Sequence, residues 1–257
     1  EIFHNFTLLH DDIMDRADMR RGKPTVHKKW NDNTAILSGD VMQIEAYKWI
    51  AGAPEFLLKK ILDIFSKTAA EICEGQQFDM EFEQQSDVSI EQYIEMIRLK
   101  TAVLIAAGCQ IGALIGGSDD EDAENLYDFG NNIGIAFQLK DDMLDVYGNE
   151  ASFGKKIGGD ILCNKKTYLL INALKLAEGR EKEELHYWIG KNDSEHQHEK
   201  IRAVTEIYNR LGVKEVCQKA MVHYYNLAIS SIDKVKVPEE RKEELKKLAQ
   251  KLMSRDD

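Results

Sequence analysis

Three aspartates in Phe137-Gln138-Leu139-Lys140-Asp141-Asp142-Met143-Leu144-Asp145 interrupt an otherwise apolar helical pattern. Asp141 and Asp145 are four apart, and Gln138 lies three before Asp141 and four before Asp142, so one helix face carries an amide beside a carboxylate patch. Carboxylates on a core-facing helix repel unless something cationic sits between them. The same arrangement stands near the chain start as Asp11-Asp12-Ile13-Met14-Asp15, preceded by Leu8-Leu9-His10 and followed by Arg20-Arg21-Gly22-Lys23. The expectation is that the two clusters face each other across a cavity.

Magnesium suits such a site, because it takes oxygen ligands, keeps several waters and bridges one or two carboxylates to a substrate's phosphates. Arg20 and Arg21 can add bidentate phosphate contacts, while Lys100, Lys155, Lys156 and Lys165 can add point charges. Diphosphate held this way is a good leaving group. Each piece alone has an ordinary explanation: an acidic helical turn is usually a solvated face, Arg-Arg-Gly a surface turn, a Gly-Lys-Lys loop solvent-exposed, and Gln76 to Asp79 a satisfied core network. What sets the two clusters apart from charge runs is that apolar residues flank both and a basic segment closely follows each.

The elements that must position these residues read as helices. The chain of 257 residues is 43% hydrophobic and 31% charged with three prolines, a composition that favours an all-α globular protein. Pro24, Pro54 and Pro238 each stand at the front of a helical pattern, where a missing backbone donor costs nothing. A net charge of −11 argues against binding to nucleic acid or to anionic membrane surfaces. Cys73, Cys109, Cys163 and Cys217 are scattered without metal-ligand spacing and read as reduced thiols of a cytoplasmic protein. The apolar run from Thr101 to Gly117 contains Gln110 and falls short of the ~20 residues of a membrane span, so a buried central helix is expected and no stable membrane insertion.

In order, a first helix runs to Asp15, followed by a basic turn over Arg16 to Lys23. A second is expected from Pro24 to Ala51 and a third from Pro54 to Gln85, where Gln76, Asp79 and Glu83 share a polar face. Ser89 with Gln92 forms a capping box opening a helix through Lys100-Thr101 to Gly116. Asp119 to Asp122 opens the helix that ends near Gly148, and a glycine-lysine loop, Phe153 to Asp160, precedes a helix starting at Lys165-Lys166-Thr167. From Glu181 onward the chain is amphipathic and helical, with no chemistry legible. Glu1 to Phe6 reads as mid-helix without a capping signal, so upstream helices are expected to be lacking.

Leu8-Leu9-His10-Asp11-Asp12-Ile13-Met14-Asp15 with Arg20-Arg21-Gly22, Gly75-Gln76, Lys100-Thr101, Phe137-Gln138 to Asp145 and Gly154-Lys155 to Asp160 resembles the trans-isoprenyl diphosphate synthase (polyprenyl synthetase) family, in order over roughly residues 1 to 170. The resemblance implies one all-α synthase domain over residues 1–257, a helical bundle around a deep central cavity, working as a homodimer. It implies a short-chain prenyltransferase that condenses isopentenyl diphosphate with an allylic diphosphate (dimethylallyl, geranyl or farnesyl) to give geranylgeranyl or farnesyl diphosphate. It implies metal ligation by Asp11, Asp12, Asp15, Asp141, Asp142 and Asp145, with about three Mg2+ per site once diphosphate is bound. By the same matching, Arg20, Lys100, Thr101, Gln138, Lys155, Lys156 and Lys165 hold the allylic diphosphate and Arg21 meets isopentenyl diphosphate. Lys100 joins Asp11, Asp12, Asp15, Asp141 and Asp142 in the catalytic set. The family's upstream Gly-Gly-Lys-x-x-Arg segment has no counterpart in this sequence.

The resemblance also makes Phe6, five residues before Asp11, the floor that limits product length, with Phe3 reinforcing it. Helical spacing alone would favour Thr7 instead, because five residues rotate Phe6 away from the Asp11 face. Two alternatives compete. A class I terpene synthase would share the ionisation step, but its second metal motif is of the Asn/Ser/Glu type; a non-catalytic subunit of a prenyl synthase would tend to lose aspartates, and both clusters are intact.

Overall fold

The computed structural model describes residues 1–148, 157–191 and 195–254, which fall into two compact units, Glu1–Ser66 and Lys67–Asp257. Lys155 and Lys156 lie outside the described residues.

In the first unit α1 (Ile2–Met14) packs against α3 (Asp32–Ile50). Phe3 and Phe6, three apart on α1, are buried together with ring centroids 5.3 Å apart; Phe3 meets Phe65 at 5.0 Å and Phe65 meets Tyr47 of α3 at 5.0 Å. This aromatic seam supplies about 0.5–1.5 kcal/mol per ring pair beyond area burial. His10 closes its far end, edge-on to Phe6 at 4.8 Å, with Nε2 3.1 Å from the Ile36 carbonyl of α3.

The basic turn after α1 is a miniature hairpin: β1 (Met19–Arg20) pairs antiparallel with β2 (Lys23–Pro24), Arg20 opposite Lys23. Arg21 and Gly22 connect them with φ of 51° and 73°, the paired left-handed conformation of a two-residue turn whose twist matches the strands. Thr25 ties the hairpin base, donating Oγ1–H to the Ala17 carbonyl at 2.6 Å. The single helix expected from Pro24 to Ala51 is instead two, α2 (Val26–Lys29) and α3. Asn31 is the reason: its side chain accepts from Thr34 N at 2.8 Å and begins α3 afresh.

α4 (Glu55–Gln84) gives its later residues to the second unit. There α5 (Ile90–Ile97) starts at the expected capping box, Ser89 and Gln92 bonding reciprocally. It continues through a π-helical turn, Arg98–Ala102, into α6 (Val103–Ile115), which packs on α7 (Asp120–Tyr147). The helical run Ile90–Ile115 is long and apolar enough to cross a membrane, yet Leu99, Ala102, Val103, Ala106 and Ala107 are buried within this unit. α7 begins at its predicted cap, Asp119 accepting from Asp122 N at 2.8 Å. The remaining helices are α8 (Gly159–Cys163), α9 (Tyr168–Leu176, capped by Thr167), α10 (Gly179–Gly190), α11 (Gln197–Leu211), α12 (Val213–Asp233) and α13 (Glu239–Met253). α12 lies along α7, and Leu139, Leu169, Leu185, Ile207, Val213 and Cys217 are the fully buried centre of this unit. Each such aliphatic side chain contributes about 1.5–3 kcal/mol of burial.

Candidate active site

The first aspartate cluster occupies the last turn of α1, and the hairpin returns Arg20 to it. Arg20 Nε donates to Asp12 Oδ1 at 2.7 Å and its NH2 lies 3.3 Å from Asp11 Oδ2, so one guanidinium spans both carboxylates. Arg20, expected on the allylic diphosphate, is thus the cation between two aspartates. Burial raises the Asp12 carboxyl above its ordinary value, with Arg20 opposing. Asp15 and Arg21 are exposed at the end of the helix and the tip of the hairpin. Phe6 and Phe3 form the buried face of α1, whereas Thr7 turns its hydroxyl to the His4 carbonyl at 2.8 Å, within its own helix.

In the second unit the π-helical turn sets Lys100 and Thr101 side by side above α7. A π turn accommodates one residue more than an α turn and is common where a helix must re-aim functional side chains. α4 approaches so closely here that a Cβ on Gly75 would stand 2.3 Å from Lys100 N, which is why glycine occupies that position. One turn beyond Gly75, buried Asp79 accepts from Lys100 Nζ at 2.6 Å and lies 3.5 Å from Lys165 Nζ. Burial alone would raise Asp79; Lys165 and Lys100 outweigh it and hold the carboxyl below its ordinary value. Between them, Gln76 has a buried Nε2 that donates to nothing. Two ammonium groups around one carboxylate make a site short of negative charge, suited to a phosphate-bearing ligand.

Across from the lysines, Thr101 Oγ1 donates to Gln138 Oε1 at 3.2 Å and Gln138 Nε2 donates to Asp142 Oδ1 at 3.0 Å. Tyr93 of α5 donates to Asp142 Oδ2 in a short hydrogen bond. Asp79, Tyr93, Lys100, Thr101, Gln138 and Lys165 line one recess. Asp142 is buried, and that burial, with Asp160 adding repulsion, pushes its carboxyl up to about 7. The Tyr93 hydroxyl is raised well above its ordinary value by burial and by Asp142, so it remains a donor. Asp145 accepts from Asp160 N at 3.0 Å and, through its carbonyl, from Gly158 N at 2.6 Å, tying the residues before α8 to α7. Asp141 is half-buried one turn before Asp145.

Sequence spacing marked Asp79 as part of a polar face without assigning it a role, and Tyr93 went unmarked, since nothing local distinguishes it from a core aromatic. Among the described residues no three carboxylate, imidazole or thiolate side chains converge. All-oxygen donors in pairs, rather than a closed cage, fit magnesium, which relies on waters and substrate phosphates for the rest of its shell.

A predominantly helical architecture, with two helices bearing aspartate-rich turns and a lysine pair beside one, defines a protein of the isoprenoid synthase fold. Residues 1–208 match the polyprenyl synthetase family. Geranylgeranyl diphosphate synthase of Methanosarcina mazei is 48% identical over 175 residues, 67% of this chain but 54% of that protein, so the match spans about half of the relative's length. The crystal structure of a geranylgeranyl pyrophosphate synthase superposes with a TM-score of 0.94 at 43% identity, over all of this chain and 79% of that one. The geranylgeranyl pyrophosphate synthase of Corynebacterium glutamicum, complexed with isoprenyl diphosphate and magnesium, does so with a TM-score of 0.88 at 30% identity, over 99% of this chain and 76% of that one. The chain belongs to the polyprenyl synthetase family, the trans-isoprenyl diphosphate synthases.

Proposed function

We propose that this protein is a short-chain trans-prenyltransferase that joins isopentenyl diphosphate to an allylic diphosphate and releases geranylgeranyl or farnesyl diphosphate. The observation that carries this reading is the grouping of Lys100 and Lys165 around Asp79, beside an aspartate-rich turn of α7. Lys100 and Lys165 exchange part of their pairing with Asp79 for diphosphate oxygens, and Thr101 and Gln138 orient the same group. Asp11, Asp12, Asp15, Asp141 and Asp145 offer oxygens to Mg2+, which supplies Lewis acidity at the leaving group. Arg20 then neutralises whichever of Asp11 and Asp12 is not engaged, and Arg21 meets isopentenyl diphosphate. The released diphosphate is the base that takes the proton, so no protein nucleophile is required. Lys155 and Lys156 add further cations to the diphosphate site.

Phe6, backed by Phe3, sets the floor of the tail site. The buried Phe3–Phe6–Phe65 seam favours it over Thr7, whose hydroxyl is spent within α1. Residues 1–257 act as one synthase domain, a reading supported by a family match that runs through both compact units. The protein is a cytoplasmic homodimer, with the exposed apolar stripe Leu37, Val41 and Ile44 of α3 as the face that a second copy covers.

The test is turnover with Mg2+, isopentenyl diphosphate and each allylic primer, with products separated by length. Products ending at fifteen or twenty carbons, lengthened by Phe6→Ala, are expected. Diphosphate release without elongation would point to a terpene synthase, and no reaction at all to a non-catalytic subunit.

A further inference from the structure

Asp142 stands inside the second aspartate cluster, yet its carboxylate is turned inward. It is 5% exposed, and each oxygen is taken: Oδ2 by the Tyr93 hydroxyl and Oδ1 by Gln138 Nε2 at 3.0 Å. Reaching a metal would cost one of those bonds. Tyr93 is itself 2% exposed and lies 49 residues away in sequence, so the bond is a product of the fold and not of local geometry.

An amide side chain has two nearly isosteric orientations, one presenting N–H and the other a carbonyl oxygen. With Asp142 ionised and so an acceptor at both oxygens, Gln138 must direct Nε2 toward it and Oε1 toward Thr101, which donates at 3.2 Å. The second N–H of that amide remains for an anion. Turned over, Gln138 would offer Oε1 to the same anion and repel it. We propose that Tyr93 and Asp142 are positioning residues: Tyr93 fixes Asp142, and Asp142 fixes the polarity of the Gln138 amide, and through it Thr101, toward diphosphate. This rests on reading the recess as a diphosphate site.

The substitution Asp142→Asn separates positioning from metal ligation. Asparagine keeps Tyr93 as a donor only with its oxygen toward Tyr93 and its amide toward Gln138, which turns the Gln138 amide over; the opposite orientation leaves the Tyr93 proton unpaired. Calorimetric titration of the whole chain with inorganic diphosphate in saturating Mg2+ should show binding weakened about 10-fold or more in Asp142→Asn and about 3-fold to 10-fold in Tyr93→Phe. The double variant should be no weaker than Asp142→Asn alone. Mn2+ affinity read by electron paramagnetic resonance should match wild type in both, and fall in Asp141→Asn. Tyr93→Phe removes one oxygen from a buried ring and keeps the test open should Asp142→Asn not fold.

Loss of Mn2+ affinity in Asp142→Asn equal to that in Asp141→Asn would overturn the proposal, as would multiplicative effects of the two substitutions. Wild-type binding with indifferent variants would overturn the relay alone. A wild-type chain that binds no diphosphate with Mg2+ would overturn the site reading and the relay together.

Discussion

Asp79 holds two ammonium groups, Lys100 Nζ at 2.6 Å and Lys165 Nζ at 3.5 Å. Its ionised form is favoured in the folded chain, so the folded carboxyl binds a proton more weakly than the unfolded one, ordinarily at 3.8. The stability this contributes is complete above that ordinary value and is lost as pH falls through the lower folded one. Asp79→Asn should therefore cost about 3 kcal/mol at neutral pH, as expected when one member of a buried charge cluster is removed, and should flatten the acid limb of stability against pH. Urea unfolding across the acid range checks both; an acid limb as steep as in wild type would assign that limb to other carboxylates. Phe6 shows the opposite balance at residue scale, since its energy is dispersion and ring geometry in the seam with Phe3 and His10, with no charge involved.

At the scale of elements, the approach of α4 to the π-helical turn carries a sharp constraint. Gly75→Ala places a methyl group 2.3 Å from Lys100 N, a backbone atom that cannot rotate aside. The helices must part, and we expect a loss of about 1–3 kcal/mol by urea unfolding together with weaker diphosphate binding. Unchanged binding would mean that Lys100 and Thr101 tolerate the displacement. The same elements show what was legible in the sequence. Ser89 with Gln92 begins a helix where the side chains predict, because a cap is a bond between residues three apart; Asp119, expected as part of an acidic start, and Thr167, expected inside its helix, are caps of the same kind. The break before α3 was missed because Pro24 drew attention to an earlier start, although Asn31 is itself an ordinary cap. The hairpin and the π turn were out of reach for a different reason. The hairpin strands are two residues long, too short for an alternating pattern, and the π turn belongs to a helix whose periodicity is otherwise regular. Site residues on one helix, Gln138 with Asp142, were legible from spacing; Tyr93 with Asp142 and Asp79 with Lys165 are set only by tertiary structure.

For the whole molecule, the stripe Leu37, Val41 and Ile44, each more than half exposed and spaced four and three apart, is the feature that most needs covering. Leu37→Glu combined with Val41→Glu should convert the proposed dimer into a monomer of half the mass in sedimentation, and no change in mass would place the self-association surface elsewhere. Assembly is thus separable from the chemistry of the second unit, where Ile90–Ile115 has a further property. Its π turn stores one residue of slack in a helix that could otherwise run straight through. Deleting a single residue between Arg98 and Ala102 would let α5 and α6 become one uninterrupted α-helix with the two flanks close to their present phase, because the extra residue is absorbed by the turn itself. Lys100 and Thr101, the residues of the turn itself, would then be re-aimed while helical content scarcely changed. The aim of these two side chains is written in the count of residues along the turn, so a change invisible to circular dichroism could silence the site.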